Sequence, residues 1–172
     1  MGTRKKMMDT LTKYDELYQS IRQIVSTARQ NAYRAINFAI VEAYWNIGKL
    51  IVKEEQKGET RAEYGKHLIK DLSQRLTREF GKGFSVVNLK NFRQFYLTFP
   101  KGFVSGDVSE DEKGYALRSQ LSWTHYRLIM RVENPKARAY YMEEAIAQNW
   151  STRALQRQIQ IQALSTDGTG TS

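Results

Sequence analysis

The sequence of 172 residues contains no cysteine, two prolines, two histidines and no long apolar run. The lack of cysteine excludes disulfides, thiolate zinc sites and cysteine nucleophiles, and it fits a reducing compartment. No apolar run approaches the roughly 20 residues of a membrane-spanning helix, and no apolar signal core follows the basic N-terminus. We therefore expect a soluble, cytoplasmic protein with no membrane partner.

The few histidines offer little catalytic or metal-binding chemistry. His67 and His125 lie on different predicted helices, and neither has a carboxylate at metal-ligand spacing. A structural or surface role is the simpler interpretation for both imidazoles. The sequence also has no Walker-type phosphate loop, so we predict no metal site, no catalytic residue and no cofactor.

The net charge of +9 is unevenly distributed along the chain. Residues 61–100 carry eight Lys and Arg against three Asp and Glu, which places +5 of the excess in forty residues. A basic cluster of this kind is typical of proteins that contact a phosphate backbone. A generally basic protein without such a partner would show the same totals.

A helix from about residue 85 to residue 99 is predicted within this basic region. The run Gly81-Lys82-Gly83 predicts a turn, since glycine reaches backbone angles that other residues avoid. Ser85 is a suitable N-cap, and Phe84 with Leu89 can form a hydrophobic staple. Pro100 favours an end to the helix just before it.

This predicted helix has an apolar face and a polar face. The spacing of three and four residues places Leu89, Phe92, Phe95, Tyr96 and Phe99 together. The opposite line consists of Val87, Lys90, Asn91, Gln94 and Thr98. Asn and Gln can pair bidentately with adenine in the major groove, and Lys suits phosphate or guanine. An ordinary solvated polar face is the alternative interpretation.

The preceding helix completes a helix-turn-helix pattern. From Tyr64 onward, apolar residues recur at helical spacing through Phe80, with basic residues between them. A helix, a glycine turn and a second helix with polar side chains match the helix-turn-helix plan, although a helical hairpin has the same pattern. The predicted DNA-binding residues are Arg75, Arg78, Lys82, Ser85, Val87, Lys90, Asn91, Gln94 and Thr98.

The N-terminal third predicts a flexible terminus over residues 1–12 and then two helices. The first is an amphipathic helix from Tyr14 to Ala28, and the second extends from about 31 to 57. Apolar residues of the second helix follow a near-heptad spacing. Such a stripe can pack within its own bundle or form an intermolecular coiled coil, which would make a homodimer. Its residues are Ile36, Ile40, Ala43, Tyr44, Ile47, Leu50 and Ile51.

Residues 100–120 differ from the segments on either side, because they contain several glycines, no helical period and a net acidic charge. They predict a loop, with a short wing-like hairpin as the alternative. The triplet Asp111-Glu112-Lys113 resembles the last part of a metal-dependent nuclease motif. It lacks the strands and the second acidic ligand that this chemistry needs, so we do not assign it to an active site.

Three further helices follow, starting near Leu121, Asn134 and Trp150. Ser122 and Ser151 repeat the cap arrangement of Ser85, and Asn134-Pro135 is a cap followed by proline in the first turn. The fold is therefore predicted to be an all-α helical bundle containing a helix-turn-helix-like pair. It should occupy residues 13–162, with a disordered tail over 163–172.

Several separate motifs resemble the N-terminal domain of the bacterial YhcG family, over roughly residues 14–161. They are Ala43-Tyr44-Trp45-Asn46-Ile47-Gly48-Lys49-Leu50-Ile51, Tyr64-Gly65, Gly83-Phe84-Ser85-Val86-Val87-Asn88-Leu89, Arg93-Gln94-Phe95-Tyr96 with Phe99-Pro100, Leu121-Ser122-Trp123-Thr124-His125-Tyr126, Tyr141 with Glu144-Ala145, Trp150-Ser151-Thr152-Arg153-Ala154-Leu155 and Gln158-Ile159.

The resemblance implies a helix-turn-helix-like DNA-binding domain that normally precedes a PD-(D/E)xK nuclease domain. The nuclease carboxylates and lysine have no counterpart here. We therefore predict a module that binds double-stranded DNA, is non-catalytic by itself and associates with the nucleoid. It would target a nuclease domain on the full-length protein or on another chain.

Two other functions stay open from the sequence. One is a protein-interaction or dimerisation module through the helix at 31–57. The other is a nuclease subunit that gains its active site from another chain. Steeply salt-dependent DNA binding would favour the DNA-binding module over the protein-interaction module.

Overall fold

The computed structural model describes residues 2–57, 61–100 and 121–167. They form six α-helices: α1 (Gly2–Glu55), α2 (Arg61–Phe80), α3 (Val86–Thr98), α4 (Trp123–Ile129), α5 (Pro135–Ala147) and α6 (Thr152–Asp167). No strand occurs among the described residues, which confirms the all-α fold class. The predicted loop, the wing-like hairpin and the Asp111-Glu112-Lys113 triplet lie outside the described residues.

Helix α1 corrects the prediction of two N-terminal helices. It extends without interruption from Gly2 to Glu55. The predicted break near residue 30 is wrong because residues 28–31 contain neither glycine nor proline, the residues that most strongly interrupt a helix. The predicted flexible terminus falls within this helix from Gly2 onward.

The chain divides into two compact units, Met1–Ile36 and Asn37–Ser172, called here the N-terminal unit and the C-terminal unit. The N-terminal unit consists, in its described part, of the first portion of α1. Its large apolar side chains remain mostly in solvent, with exposed fractions of 66% for Tyr14, 52% for Ile21 and 68% for Ile24. The described residues of this unit form no core of their own, because a single helix cannot enclose its apolar side chains.

The C-terminal unit is built around two apolar clusters. The larger cluster joins the C-terminal portion of α1 to α3, α4, α5 and α6; its buried residues include Trp45, Phe95, Tyr126, Tyr141 and Leu155. The second cluster joins α1, α2 and α3 through Ile51, Ile69, Leu89 and Phe92. Helix α3 contributes to both clusters, so both hold it in place.

The face of α1 that enters the core coincides only in part with the predicted stripe, from which Tyr44 and Ile47 pack half-buried against the second cluster. Ile36, Ile40, Ala43 and Leu50 are exposed, and among the predicted residues only Ile51 is buried. The buried face instead carries Phe38, Val41, Trp45, Gly48, Ile51 and Val52. Dimerisation through residues 31–57 stays a prediction.

Gly48 explains which face of α1 packs on α3. A Cβ atom at this position would lie 1.9 Å from the carbonyl oxygen of Phe92, so only glycine allows the two backbones to approach this closely. The Trp45 indole donates a hydrogen bond to the Phe99 carbonyl at 3.0 Å. Tyr44 stacks on Phe92 with ring centroids 4.1 Å apart. These contacts turn the side of α1 that carries Tyr44, Trp45 and Gly48 toward α3, and they leave Ile36, Ile40 and Leu50 exposed.

The last three helices begin at the predicted caps. The Ser122 hydroxyl accepts from the His125 backbone, Asn134 caps α5, and the Ser151 hydroxyl accepts from the Ala154 N–H at 3.2 Å. Helix α6 continues to Asp167, past the predicted end of the domain at residue 162, and residues 168–172 of the predicted tail lie outside the described residues. None of the described helices is long and apolar enough to cross a membrane.

Candidate functional site

The turn between α2 and α3 has the geometry that its glycines predict. Gly81 and Gly83 have φ angles of +79° and +119°, a region that side-chain-bearing residues rarely adopt. Ser85 caps α3 by accepting from the Asn88 N–H at 3.2 Å. The Asn88 side chain donates to the Gly83 carbonyl at 2.9 Å, which ties the turn to the first turn of α3. This confirms the glycine turn and the Ser85 cap.

Helix α3 has the two faces that the sequence indicates. Leu89, Phe92 and Phe95 are at most 1% exposed, so the apolar face is confirmed. On the other side, Val87 is 64% exposed and Gln94 is exposed, while its amide donates to the Thr98 hydroxyl at 3.2 Å. The polar line is therefore accessible along most of its length.

An open groove of about 770 Å³ lies beside α3 within the C-terminal unit. The end of α1 forms one wall, the start of α2 a second wall and one side of α3 the third. Val52, Ile69 and Leu97 supply apolar lining. The polar and charged lining consists of Glu55, Gln56, Lys66, Lys90, Arg93 and Gln94.

An ion pair crosses this groove from α1 to α3. Arg93 Nε donates to Glu55 Oε2 at 2.6 Å, and the Glu55 side chain is only 14% exposed. Gly65 leaves room for the carboxylate, since a Cβ atom there would lie 3.0 Å from Glu55 Oε1. Because this pair is neutral overall, Lys66 and Lys90 leave the groove with an excess of positive charge. The groove therefore suits an anionic ligand.

A second polar contact joins the end of α1 to the start of α2. Tyr64 Oη donates to Glu54 Oε1 at 3.2 Å, and Lys57 Nζ lies 3.1 Å from Glu54 Oε2. Hydrogen bonds from Lys57 and then from Tyr64 lower the pKa of Glu54 below its usual value. The same carboxylate raises the pKa of Tyr64.

The structure brings some of the predicted DNA-binding residues together and leaves others apart from the groove. Lys90 and Gln94 line it. Arg78 and Lys82 are exposed at the end of α2 and in the turn. Arg75 forms an exposed ion pair with Asp71, with 3.0 Å between Nε and Oδ2. The remaining predicted residues lie elsewhere on α3 or at its cap: exposed Ser85 and Val87, and half-buried Asn91 and Thr98.

Sequence reasoning missed Lys66, Arg93 and Glu55 as members of one site. Part of the signal was present, because Lys90, Arg93 and Leu97 recur at a spacing of three and four on one side of α3. The contribution of Lys66 and Glu55 depends on how α1 and α2 approach that side, which no local pattern reveals.

His125 has a structural role that limits any catalytic one. Its Nδ1 accepts from the Ser122 backbone N–H at 3.1 Å, which places the proton of the neutral ring on Nε2. Nε2 lies 2.8 Å from the Trp150 carbonyl and donates to it. The imidazole thus links the start of α4 to the residue before the α6 cap. Among the described residues, no group of three or more His, Cys, Asp or Glu side chains could hold a metal ion.

Comparisons with known proteins identify the family of this chain. The DUF1016 N-terminal domain matches residues 20–166. A relative from Escherichia coli (strain K12), called Putative nuclease YhcG, is 34% identical over 173 aligned residues, covering 89% of this chain. The chain spans 46% of that relative's length. No solved structure matches. The chain therefore belongs to the DUF1016 N-terminal domain family and represents the N-terminal domain of YhcG-type proteins.

Proposed function

We propose that this domain binds double-stranded DNA through α2, the glycine turn and α3. The observation that carries the proposal is the set of accessible basic and amide side chains on these consecutive elements, with α3 held rigidly behind them by two apolar clusters. A helix fixed in this way can present side chains to a groove without ordering itself on binding. The +5 charge of residues 61–100 supports an electrostatic footprint on the same elements.

The basic side chains are proposed to contact phosphates. Arg78 and Lys82 are exposed at the turn, and Lys66 and Lys90 give the groove beside α3 its positive excess. Each phosphate neutralised by such a side chain releases condensed counterions. Arg75 is assigned a smaller contribution to DNA binding. Its guanidinium would have to break the ion pair with Asp71 in order to contact a phosphate, and that loss opposes the gain.

The amide side chains are proposed to discriminate bases. Asn91 and Gln94 can each satisfy the donor and acceptor pattern of adenine in the major groove, which is wide enough for an α-helix. The hydrogen bond from Gln94 to Thr98 orients the Gln94 amide along the helix. Val87 and Thr98 offer a methyl contact and a hydroxyl at either end of the same line.

The domain is further proposed to be non-catalytic by itself and to target a nuclease-type protein to the nucleoid. The name of the Escherichia coli relative describes it as a putative nuclease, and this chain corresponds to 46% of its length. The proposal places catalysis in the other part of such proteins or on another chain. Metal-dependent nicking of supercoiled plasmid by this chain alone would contradict it.

The direct test measures binding of the purified chain to random duplex DNA at several salt concentrations. DNA-backbone binding predicts a linear fall of log affinity with log salt concentration, with a slope of about −0.9 for each phosphate neutralised. Absence of binding at low salt, with the protein folded, would contradict the proposal.

A further inference from the structure

The N-terminal unit has an apolar stripe that is exposed in the part of the chain that the structure describes. Tyr14, Tyr18, Ile21 and Val25 follow a spacing of four, three and four, and Ala28, Ala32 and Ala35 continue it with three, four and three. All seven side chains are exposed. An alternation of three and four is the heptad spacing of a two-stranded coiled coil, in which these residues occupy the core positions. A helix surface of this kind is typical of an interaction site.

We propose that a second copy of this chain covers the stripe as an antiparallel coiled coil. The stripe is graded in size, from large residues at its N-terminal end to alanines at its C-terminal end. An antiparallel pair with its two-fold axis near residue 23 places Tyr14 opposite Ala32 and Tyr18 opposite Ala28. Ile21 then faces Val25 at the centre, so the layers formed by these six residues receive similar volumes.

A parallel pair fits the same stripe poorly. It would place tyrosine against tyrosine in two layers and alanine against alanine in three. The helix separation needed by the first layers would leave voids between the last ones, and voids of this kind are costly in a packed core. The size gradient therefore selects the antiparallel arrangement.

The charges beside the stripe are also complementary in the antiparallel pair. Asp15 and Arg29 both occupy the flanking position that follows a core residue, and both are exposed. With the axis near residue 23, Asp15 of each copy lies beside Arg29 of the other, which gives two opposite-charge pairs per dimer. Ile24 meets its own copy on the opposite flank, which extends the apolar surface. Arg22 of each copy lies beside Arg22 of the other across the axis, and the two cations repel each other. Salt screens this repulsion together with the two attractive pairs, so moderate salt should not weaken the dimer.

The dimer is independent of the proposed DNA binding, since its residues are confined to 14–35. The first test is the mass of the full chain in solution by sedimentation or light scattering. We expect a dimer of twice 20.0 kDa. Ile21→Asp should raise the dimer dissociation constant about 100-fold or more, because each dimer would bury two unpaired carboxylates. Gln30→Asp adds the same charge on the outer side of the helix and should leave the dimer intact.

Disulfide trapping then tests the orientation, because the natural chain has no cysteine. Under oxidation, Ile24→Cys should cross-link to its own copy, whereas Tyr14→Cys should not. Combining Tyr14→Cys with Ala32→Cys should restore cross-linking. The two positions are about 27 Å apart along one helix, so the bond must join two chains.

Three results would overturn the proposal. One is a monomer at concentrations well above the micromolar range. Another is a dimer that Ile21→Asp leaves unchanged. The third is efficient cross-linking of Tyr14→Cys alone, which is the signature of a parallel pair.

Discussion

Apolar side chains of the same kind are buried in the C-terminal unit of this chain and exposed in the N-terminal unit. Leu89 in the C-terminal unit is fully buried, whereas Leu17 in the N-terminal unit is 55% exposed, although both lie on α-helices. Hydrophobicity and helical periodicity are alike at the two sites. What differs is the number of helices available to enclose the side chain. The C-terminal unit therefore encloses a core of its own, while the described part of the N-terminal unit leaves its apolar side chains exposed.

The largest expected difference comes from the same truncation in the two units. Leu89→Ala should lower the free energy of unfolding by about 2–5 kcal/mol, because it leaves a cavity in the cluster between α1, α2 and α3. Leu17→Ala should change the free energy of unfolding of the C-terminal unit by less than about 0.5 kcal/mol, because its side chain lies outside that unit.

Urea unfolding followed by tryptophan fluorescence measures this difference well. All three tryptophans, Trp45, Trp123 and Trp150, belong to the C-terminal unit. Equal effects of the two truncations would show that both units unfold as one body, contrary to the expected difference between them.

The next largest effect tests the close contact of α1 with α3. Gly48→Ala should destabilise the C-terminal unit by about 3 kcal/mol, because its Cβ would overlap the backbone carbonyl of Phe92. Gly65→Ala is the matched control, since its Cβ would meet only the flexible end of Glu55. Alanine also gains about 1 kcal/mol of helix propensity over glycine, and this gain offsets the cost of that contact. A Gly48→Ala protein as stable as the Gly65→Ala protein would contradict the packing of α1 on α3.

Two substitutions in α3 separate base discrimination in DNA from self-association of the chain, and their expected effect is smaller. Asn91→Ala and Gln94→Ala should each remove about 1–3 kcal/mol of discrimination between preferred and random duplexes. Neither variant should change the oligomeric state, because both positions lie in the C-terminal unit. The measurement compares anisotropy titrations on the two duplexes with the sedimenting mass. Unchanged discrimination in both variants would remove the base-reading assignment.

The smallest expected effect concerns the contact of Tyr64 with Glu54. The pKa of Glu54 is lower in the folded chain than the value of 4.5 expected in the unfolded chain. The ionised carboxylate therefore stabilises the fold above pH 4.5, and this stabilisation is lost as pH falls through the folded-state pKa. The pKa of Tyr64 is higher in the folded chain than the value of 10.0 expected in the unfolded chain. The protonated hydroxyl therefore stabilises the fold below pH 10.0, and this stabilisation is lost as pH rises through the folded-state pKa.

Tyr64→Phe should therefore lower the urea midpoint slightly at neutral pH, and the difference from the natural protein should shrink below pH 4.5 and above pH 10.0. Tyr33→Phe, at an exposed position of the N-terminal unit, is the control. A difference that stays constant across these pH values would contradict the contact.

The parts of the fold that could be predicted are those with local causes. Ser85, Ser122 and Asn134 cap their helices as the sequence indicates, because a cap needs only its own side chain and the next few backbone groups. The two faces of α3 were likewise predictable, since a single amphipathic period describes them.

The parts that could not be predicted depend on contacts between distant elements. Two apolar patterns overlap on α1, and the sequence does not indicate that the one with Phe38, Val41 and Trp45 enters the core while Ile36, Ile40 and Leu50 stay exposed. That choice rests on the contact of Gly48 with Phe92. The groove likewise joins Lys66, Arg93 and Glu55 from three helices, so it exists only after they pack.

The most direct test of the central claim compares two charge-matched pairs of substitutions in DNA binding. Arg78→Ala with Lys82→Ala removes two cations at the turn, and Lys136→Ala with Arg153→Ala removes two exposed cations from α5 and α6. If α2, the turn and α3 bind DNA, the first pair should weaken binding to every duplex and reduce the salt slope by about 1.8, while the control pair should change neither. Equal affinity and an equal salt slope for the two folded variants would contradict the claim.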